Sequence, residues 1–403
     1  MKLKMKALAA AAALALAAGP TQAQISGNVV KLGVLNDQSG LYADLGGQGS
    51  VLAAKMAIED FKAKEKGLNV EVIFADHQNK PDVGSQIASR WYDTEGVDAI
   101  LDVPTSSVAL AVAEVARNKH KVFIDSGAAS SDLTGSKCSP YTVHFTYDTW
   151  MLANGTGKAI VKTGGKTWFF ITADYAFGHA LERDTSAVVK ANGGQVVGDV
   201  KVPLNTQDFS SFLLQAQASK AQIIGLANAG GDTINSVKQA AEFGIVKGGQ
   251  NLAGLLIFLT DIHGIGLEKA QGLILTETFY WDLNDQTRAW SKRFAAANGG
   301  KYPTMVHAGV YAGVLHYLKA IAALKSDDAD KVMEKMKATP TDDPLFGKGS
   351  VRVDGRVIHP AYLFEVKKPS ESKGPYDYYK LRATIPADEA FRPLKDGGCP
   401  LVK

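Results

Sequence analysis

The sequence predicts an α/β protein made of two similar halves, each with a parallel sheet. Short β-branched segments alternate with amphipathic helical segments over most of the chain, a pattern typical of βαβ units in which helices connect parallel strands. The alternation begins again near residue 149. A chain of 403 residues is long enough for two domains of the usual size, about 100–200 residues each.

The first half predicts strands and helices in strict alternation. One face of its first helix carries the apolar residues Val51, Ala54, Ile58 and Phe61, which is the spacing of an amphipathic helix. The predicted strands are 29–35, 69–75, 98–103 and 121–125, and the predicted helices are 49–64, 82–94 and 106–119.

The second half repeats the series, and the last third of the chain departs from it. The second half predicts helices at 149–162, 178–192, 209–218 and 232–243, and strands at 167–172, 195–202, 222–227 and 252–259. Helices at 285–298, 304–324 and 328–338 then follow one another, and short strands at 361–366 and 376–382 come last. Helices without strands of their own must pack on an existing sheet, so we expect this segment to return to the first half.

Residues 1–23 have the pattern of a secretory signal peptide. Lys2, Lys4 and Lys6 precede an apolar segment at 7–18, and a small-residue cleavage site ends near Ala23. A membrane anchor is the alternative, but the apolar segment is shorter than the about 20 residues that a spanning helix needs. We therefore expect the protein to be exported.

Charge and cysteine content restrict the function further. Without the three lysines of the signal peptide, 41 basic residues balance 41 acidic residues, so no basic excess favours binding to nucleic acid or to an anionic membrane. The two cysteines, Cys138 and Cys399, lie in the exported part and predict one disulfide. Two free thiols are the alternative, and metal binding is disfavoured because neither cysteine has a neighbouring ligand at metal spacing.

The sequence lacks the common catalytic and cofactor motifs. The segment 165–167 resembles the end of a phosphate-binding loop, but Ile160 occupies the position of the first glycine. The glycines at 46–49 lack the dinucleotide-binding spacing, and neither a Gly-x-Ser-x-Gly nor a His-Glu-x-x-His motif occurs. We expect neither an enzyme nor a bound cofactor.

Small polar residues follow three predicted strands of the first half. These loops are 36–40, 104–107 and 126–130, and open α/β sheets bind ligands at the carboxyl ends of their strands. The second loop begins a helix, so its hydroxyl and N–H groups face any anion placed there. The alternative is that these Ser and Thr residues only cap helices.

The order of several short segments resembles the periplasmic branched-chain amino-acid-binding family, the type I solute-binding proteins of ABC importers. The segments are 31–35 with Ser39, Gly40 and Gly46, then 105–107, 127–134, 174–178 and 228–232. The resemblance implies two Rossmann-like lobes that are joined by three crossings and close on a ligand like a hinge. It places the first lobe at 24–148 and 279–354, and the second at 149–278 and 355–403.

The same resemblance implies a ligand site between the lobes. In the first lobe, Thr105, Ser106, Gly127 and Ala129 would hold a carboxylate. In the second lobe the expected contacts are Tyr175, Phe177 and Asn228, with Asp261 pairing with an ammonium group. Ala129 stands where amino-acid-binding members usually have Thr, which removes one ammonium acceptor, whereas Asp261 keeps an amino acid possible.

Trp281 favours an aromatic ligand. It lies in the run 279–282 near the expected hinge, which resembles the subgroup associated with aromatic or other hydrophobic carboxylates. Core packing is the alternative role for Phe279 and Tyr280.

The sequence therefore predicts a monomeric periplasmic solute-binding protein that delivers a small aromatic or apolar carboxylate to a membrane ABC permease. Three alternatives stay open: a protein of the same family that binds branched-chain or other amino acids, a ligand sensor with the same fold, and a secreted hydrolase.

Overall fold

The computed structural model describes residues 25–403, and the predicted signal peptide lies outside the described residues. Across this described part, the helices are too short or too polar to cross a membrane. The fold is α/β with parallel sheets flanked by helices, as predicted.

The first sheet has five parallel strands in the order β2-β1-β3-β4-β5. Its strands are β1 Val30–Asn36, β2 Val70–Asp76, β3 Ala99–Asp102, β4 Val122–Asp125 and β5 Thr142–His144. Helices α1 Gly47–Asp60, α2 Pro81–Asp93 and α3 Ser106–Lys119 connect them. Leu35, Ile100 and Phe123 on one face of the sheet pack against Trp91 and Val112 of α2 and α3.

The second sheet has four parallel strands in the order β7-β6-β8-β9. These are β6 Thr167–Ala173, β7 Gln195–Val202, β8 Ile223–Ala227 and β9 Asn251–Gly254. The helices of this half are α4 Thr149–Leu152, α5 Lys158–Lys162, α6 Ala176–Ala191, α7 Ser210–Ala218, α8 Gly231–Glu242, α9 Leu259–Ile265 and α10 Leu267–Ala270. A π-helical segment, Ala153–Gly157, joins α4 to α5.

The last third of the chain covers parts of both halves. β10 Ile274–Glu277, β14 Ala361–Val366 and β15 Tyr379–Ile385 form an antiparallel sheet whose apolar residues join the core of the second half. The other elements are α11 Asp285–Ala297, α12 Met305–Leu324, α13 Ala329–Ala338, β11 Thr341–Asp343, β12 Gly347–Val351, β13 Val357–Ile358 and α14 Ala387–Ala390.

Helix α12 returns to the first half, as the sequence predicts. Its N-cap residue Thr304 donates from Oγ1 to the Leu45 carbonyl (2.7 Å), and Tyr311 donates from its hydroxyl to Asp60 of α1 (2.8 Å). Because α12 is apolar on all sides and almost wholly buried, it completes the core between α1 and the first sheet.

The chain crosses between the halves after β5, after β10 and between β13 and β14. Two side chains tie the first and third crossings together. Arg356, which is fully buried, donates from Nη1 to Asp148 (3.3 Å), and His359 Nε2 is 2.8 Å from the Phe145 carbonyl oxygen. The first and third crossings therefore form one bonded unit.

The C-terminal tail lies on the first half. Cys399 is bonded to Cys138, as predicted, with 5.6 Å between their Cα atoms. Arg392 donates from Nη2 to the Ser131 carbonyl (2.9 Å). The resemblance placed residues 355–403, and with them this tail, in the second lobe. A resemblance carried by segments up to residue 232 contains no information on which sheet a short final segment contacts.

Several elements differ from the sequence-based expectation. The predicted strand 252–259 ends at Gly254, and helix α9 begins at Leu259. The residues between them are apolar and buried, and a continuous apolar run does not by itself distinguish a strand from a buried loop. β15 begins at Tyr379 rather than at 376, where Tyr376 has a φ of +66°. The short strands β5 and β10 were not predicted.

Candidate functional site

A cavity lies where the carboxyl ends of the two parallel sheets face each other. Loops that follow β1, β3, β4 and β5 line it on one side, and loops that follow β6, β8 and β9 line it on the other. The free volume inside it is about 10 Å³, which is room for about one water molecule. A larger ligand therefore enters only when these side chains move apart. Its lining residues are Tyr42, Leu45, Pro104, Gly127, Ala129, Tyr147, Tyr175, Phe177, Ala229, Leu256 and Phe258.

The cavity is mainly aromatic. Five of its lining residues carry aromatic rings, and no lining side chain among the described residues is charged. Tyr147 and Phe258 pack edge to face across the cleft with 5.7 Å between ring centroids, and Tyr175 packs at 5.9 Å from Phe177. Such rings bury large apolar area, and aromatic pairs pack best with their centroids about 4.5–7 Å apart.

Two tyrosine hydroxyls meet across the cleft. The hydroxyl oxygens of Tyr42 and Tyr175 are 2.5 Å apart. Burial raises the pKa of both phenols, so both keep their protons at neutral pH. One proton makes the bond between them, and the second is free to be donated to a ligand.

The loop after β4 is held by side chains beneath it. The N–H groups of Gly127 and Ala128 donate to Asp125 Oδ1 (3.1 and 2.9 Å). Those of Ala129 and Ser130 donate to Ser106 Oγ (3.3 and 3.1 Å). The sequence suggested that this backbone would hold a ligand carboxylate, and the structure directs these donors to the protein's own acceptors.

The end of β3 is strained where it enters the cavity. Asp102 and Val103 both have positive φ values, +77° and +59°, and each such residue costs on the order of 1–3 kcal/mol. Asn36 Nδ2 donates to Asp102 Oδ2 (2.9 Å), which holds the turn. Burial raises the pKa of Asp102 to about 6. The turn places Pro104 in the cavity wall.

The same turn requires glycine at position 127. A Cβ atom at this position would lie 2.5 Å from Asp102 Oδ1 and 2.7 Å from the Pro104 Cα atom. Since real Cβ contacts are longer, only glycine allows the loops after β3 and β4 to approach this closely.

Four of the predicted site residues line the cavity, namely Gly127, Ala129, Tyr175 and Phe177. The others do not line it. Thr105 is buried and its hydroxyl donates to Asn79. Asn228 is buried too, and its amide donates to Ser236 Oγ (2.9 Å) and accepts from Thr233 Oγ1 (2.8 Å). Ser106 supports the loop described above.

Asp261 and Trp281 also have internal partners. Asp261 Oδ2 accepts the N–H of Phe258 (2.9 Å) at the start of α9, and burial raises the pKa of this carboxyl to about 7. Trp281 donates from Nε1 to the Tyr376 carbonyl (2.8 Å) and packs 4.7 Å from Tyr302. Neither side chain lines the cavity.

The sequence-based prediction missed most of the aromatic residues that line the cavity. Tyr42 follows the first predicted loop, and its position just beyond a strand end is the signal that could have found it. Tyr147 follows β5, which has only three residues, and Phe258 lies in a segment that had been assigned to a strand. Between residues 25 and 403, His, Cys, Asp and Glu side chains form no group of three that could hold a metal ion.

A family model described as periplasmic binding protein matches residues 29–374. The chain belongs to this family. Among its curated relatives, Leu/Ile/Val-binding protein homolog 6 of Brucella melitensis is 27% identical over 358 residues, which cover 85% of this chain and 89% of the relative.

Solved structures of the family superpose on most of the chain. A periplasmic binding protein from Burkholderia mallei is 53% identical, with a TM-score of 0.91 over 94% of this chain and 100% of its own. A branched chain amino acid ABC transporter periplasmic ligand-binding protein from Burkholderia xenovorans is 42% identical, with a TM-score of 0.82 over 93% and 100%.

More distant neighbours show the fold alone. A solute binding protein from R. palustris in complex with benzoate is 21% identical, with a TM-score of 0.80 over 92% of this chain and 99% of its own. One from Rhodopseudomonas palustris BisB5, in complex with 3,4-dihydroxy benzoic acid, is 23% identical, with a TM-score of 0.81 over 89% and 98%.

The family and these neighbours are solute-binding proteins of ABC transporters and not enzymes. The chain is therefore a periplasmic solute-binding protein of an ABC transporter, whose partners are a small molecule and a membrane permease. The prediction of a non-catalytic function is confirmed. Cleavage near Ala23 stays a prediction.

Proposed function

We propose that this periplasmic binding protein captures a small carboxylate with an aromatic or apolar body between its lobes. The observation that carries the proposal is the cavity wall, in which Tyr42 and Tyr147 of the first lobe face Tyr175, Phe177 and Phe258 of the second. Once the lobes move apart to admit it, a flat ring placed among these side chains buries its faces against other rings. That arrangement contributes about 0.5–1.5 kcal/mol for each aromatic pair beyond area burial.

The carboxylate would lie near the tyrosine pair and the start of α3. The free hydroxyl proton of the Tyr42 and Tyr175 pair is one donor to it. Pro104 lines the cavity and α3 begins two residues later at Ser106, so the unsatisfied N–H groups of the first helical turn favour negative charge there. We also propose that Thr105, Ser106, Asn228, Asp261 and Trp281 act by holding this wall in place.

Branched-chain amino acids are the second candidate ligand class. The curated relatives named above are Leu/Ile/Val-binding protein homologs, and the Burkholderia xenovorans protein is described as belonging to a branched chain amino acid ABC transporter. An ammonium group needs an acceptor, and the cavity lining among the described residues has no carboxylate. Asp261, one candidate, accepts a backbone N–H instead.

The lobe limits and the oligomeric state are part of the proposal. We propose a monomer with a first lobe at 25–148 and 279–358 and a second at 149–278 and 361–385. The limit moves from 354 to 358 because β13 pairs with β12 before the third crossing, and we assign the tail to the first lobe because Cys399 and Arg392 contact it.

A thermal-shift panel tests the ligand class. Benzoate, 4-hydroxybenzoate, leucine, isoleucine and valine are added to protein that has been unfolded and refolded to remove retained small molecules. A ligand at a hundred times its Kd stabilises by about 2.7 kcal/mol. We expect the aromatic acids to raise the melting temperature. Stabilisation by the aliphatic amino acids alone would overturn the aromatic proposal in favour of the second candidate.

Tyr175→Phe tests the hydroxyl pair because it removes one oxygen and keeps the ring. Charge-assisted hydrogen bonds contribute about 1.5–3 kcal/mol, so we expect calorimetry to show aromatic acids bound roughly tenfold more weakly or worse. Tyr92→Phe is the matched control. The Tyr92 hydroxyl does not line the cavity and donates to the Val122 carbonyl at 2.8 Å. If both variants bind aromatic acids with equal affinity, the hydroxyl pair does not bind the ligand.

A further inference from the structure

The loop after β4 is attached to the second lobe at Ser131. Its earlier N–H groups, at 127–130, all donate to side chains of the first lobe. The N–H of Ser131 instead donates to Thr149 Oγ1 (3.1 Å), the first residue of α4. Because this loop lines the cavity at Gly127 and Ala129, its attachment connects the ligand site to the contact between the lobes.

Asp184 of α6 is the centre of that attachment. It is 7% exposed. Its Oδ2 accepts the hydroxyls of Ser131 and Thr149, both at 2.6 Å, and its Oδ1 accepts Arg183 Nε at 2.9 Å. Arg183 also donates from Nη2 to Ser131 Oγ (2.9 Å) and from Nη1 to Asp132 (3.2 Å).

We propose that Asp184 is a positioning residue for ligand capture, which favours the closed arrangement by holding Ser131 of the first lobe. Opening the cleft would separate Ser131 from α6 and leave this buried carboxylate with fewer donors, which costs free energy. The ion pair of Arg183 with Asp132 contributes less, because its arginine side chain is 49% exposed. The inference rests on closure of the lobes and not on the identity of the ligand.

The test compares Asp184→Asn with Glu182→Gln. An amide has one oxygen in place of two, so either Arg183 or the two hydroxyls must lose their acceptor in Asp184→Asn. Glu182 is the matched control because it is an acid of the same helix, and its partners Thr172 and Lys201 both lie in the second lobe.

Single-molecule energy transfer measures closure directly in protein without added ligand. Dyes are attached at Lys64→Cys and Lys220→Cys, two exposed positions in different lobes. We expect Asp184→Asn to lower the equilibrium constant for closing by roughly threefold to tenfold, and Glu182→Gln to leave it unchanged. A distance distribution in Asp184→Asn that matches the wild type would overturn the proposal.

A second measurement separates positioning from a general loss of stability. Ser131→Ala alone and combined with Asp184→Asn forms a double-mutant cycle on the closing constant. We expect the effects of the two changes on the closing constant to be non-additive, since both remove the same contact. Additive effects would refute the proposed role of Asp184. Benzoate is then added as a probe, and its dissociation rate should rise in Asp184→Asn. If wild-type protein fails to bind benzoate, the proposed ligand class is wrong, and the closing constants alone decide the role of Asp184.

Discussion

Replacing both cysteines by alanine tests how much the bond between Cys138 and Cys399 stabilises the fold. The bond closes a loop of 261 residues that contains the whole second lobe. In the chain-entropy model the lost entropy grows with the logarithm of loop length, which gives about 5.5 kcal/mol at 25 °C for this loop. Removing native disulfides typically costs about 2–5 kcal/mol. We therefore expect Cys138→Ala with Cys399→Ala to lose between about 2 and 5.5 kcal/mol.

Urea unfolding measures this loss when it is followed by both circular dichroism and tryptophan fluorescence. Coincident transitions justify a two-state analysis, which two lobes do not guarantee. Wild-type protein in a reducing agent is the control, and it should unfold at the same urea concentration as the double variant. A difference below about 0.5 kcal/mol between oxidised wild type and the double variant would contradict the loop-entropy argument.

The same variant should change local order in the tail. Residues 389–392 have other attachments, such as the buried ring of Phe391 and the hydrogen bonds of Arg392 to Ser131 and Arg352, whereas the hydrogen bonds given for 393–403 lie within the tail itself. Hydrogen exchange should therefore rise at 393–403 while both parallel sheets stay protected. Unchanged protection of the tail would show that its other contacts are sufficient without the bond.

Two further predictions concern buried positions. The pKa of Asp261 is raised by burial from 3.8 to about 7, so the folded state loses stability as pH rises from about 4 to about 7. Asp261→Asn should restore up to about 4 kcal/mol at pH 8 and nothing at pH 3.5 in urea unfolding. Gly127→Ala should destabilise by about 1–3 kcal/mol and weaken ligand binding, because its Cβ meets Asp102 and Pro104. Gly157→Ala is its control in calorimetry, with a nearest contact of 3.2 Å.

The sequence predicted the fold well because hydrophobic periodicity is a local property. Most strands and helices lie within a few residues of their predicted limits, and α3 Ser106–Lys119 and β7 Gln195–Val202 match fully. The failures are of two kinds. Strands β5 and β10 carry buried polar residues such as Thr142, His144 and Glu277 and so lack the continuous apolar run that marked the equally short β3 and β4. The apolar run that follows β9 is continuous, so it carries no periodicity that distinguishes a strand from a buried loop.

The site was less predictable because side-chain direction is not a local property. Resemblance to a family placed Thr105 and Asn228 near the correct strand ends, but their side chains donate to or accept from neighbours within their own lobe. Whether a polar residue faces a ligand or a neighbour depends on the partners that the fold brings to it. Tyr42 and Tyr175 are far apart in sequence, and the fold brings their hydroxyls together across the cleft.

The buried acids around the cavity connect ligand charge to pH. Burial is the largest cause of the raised pKa of Tyr147, and the charges of Asp125, Asp102 and Asp261 raise it further. The charge of Asp232 likewise raises the pKa values of Tyr42 and Tyr175. These acids therefore lie within electrostatic reach of the cavity. The pKa values of Asp102, Asp232 and Asp261 are raised by burial to about 6–7.

An anionic ligand would raise these pKa values further, because like charges disfavour ionisation. Binding of a carboxylate would then take up protons, and its affinity should increase as pH falls from 8 to 6. A ligand whose ammonium group pairs with one of these acids would show the opposite trend, since protonation removes its partner. Calorimetry in buffers of different ionisation enthalpy measures the protons taken up or released. Proton release on binding would contradict a simple carboxylate and would indicate that one of these acids recognises a cationic group.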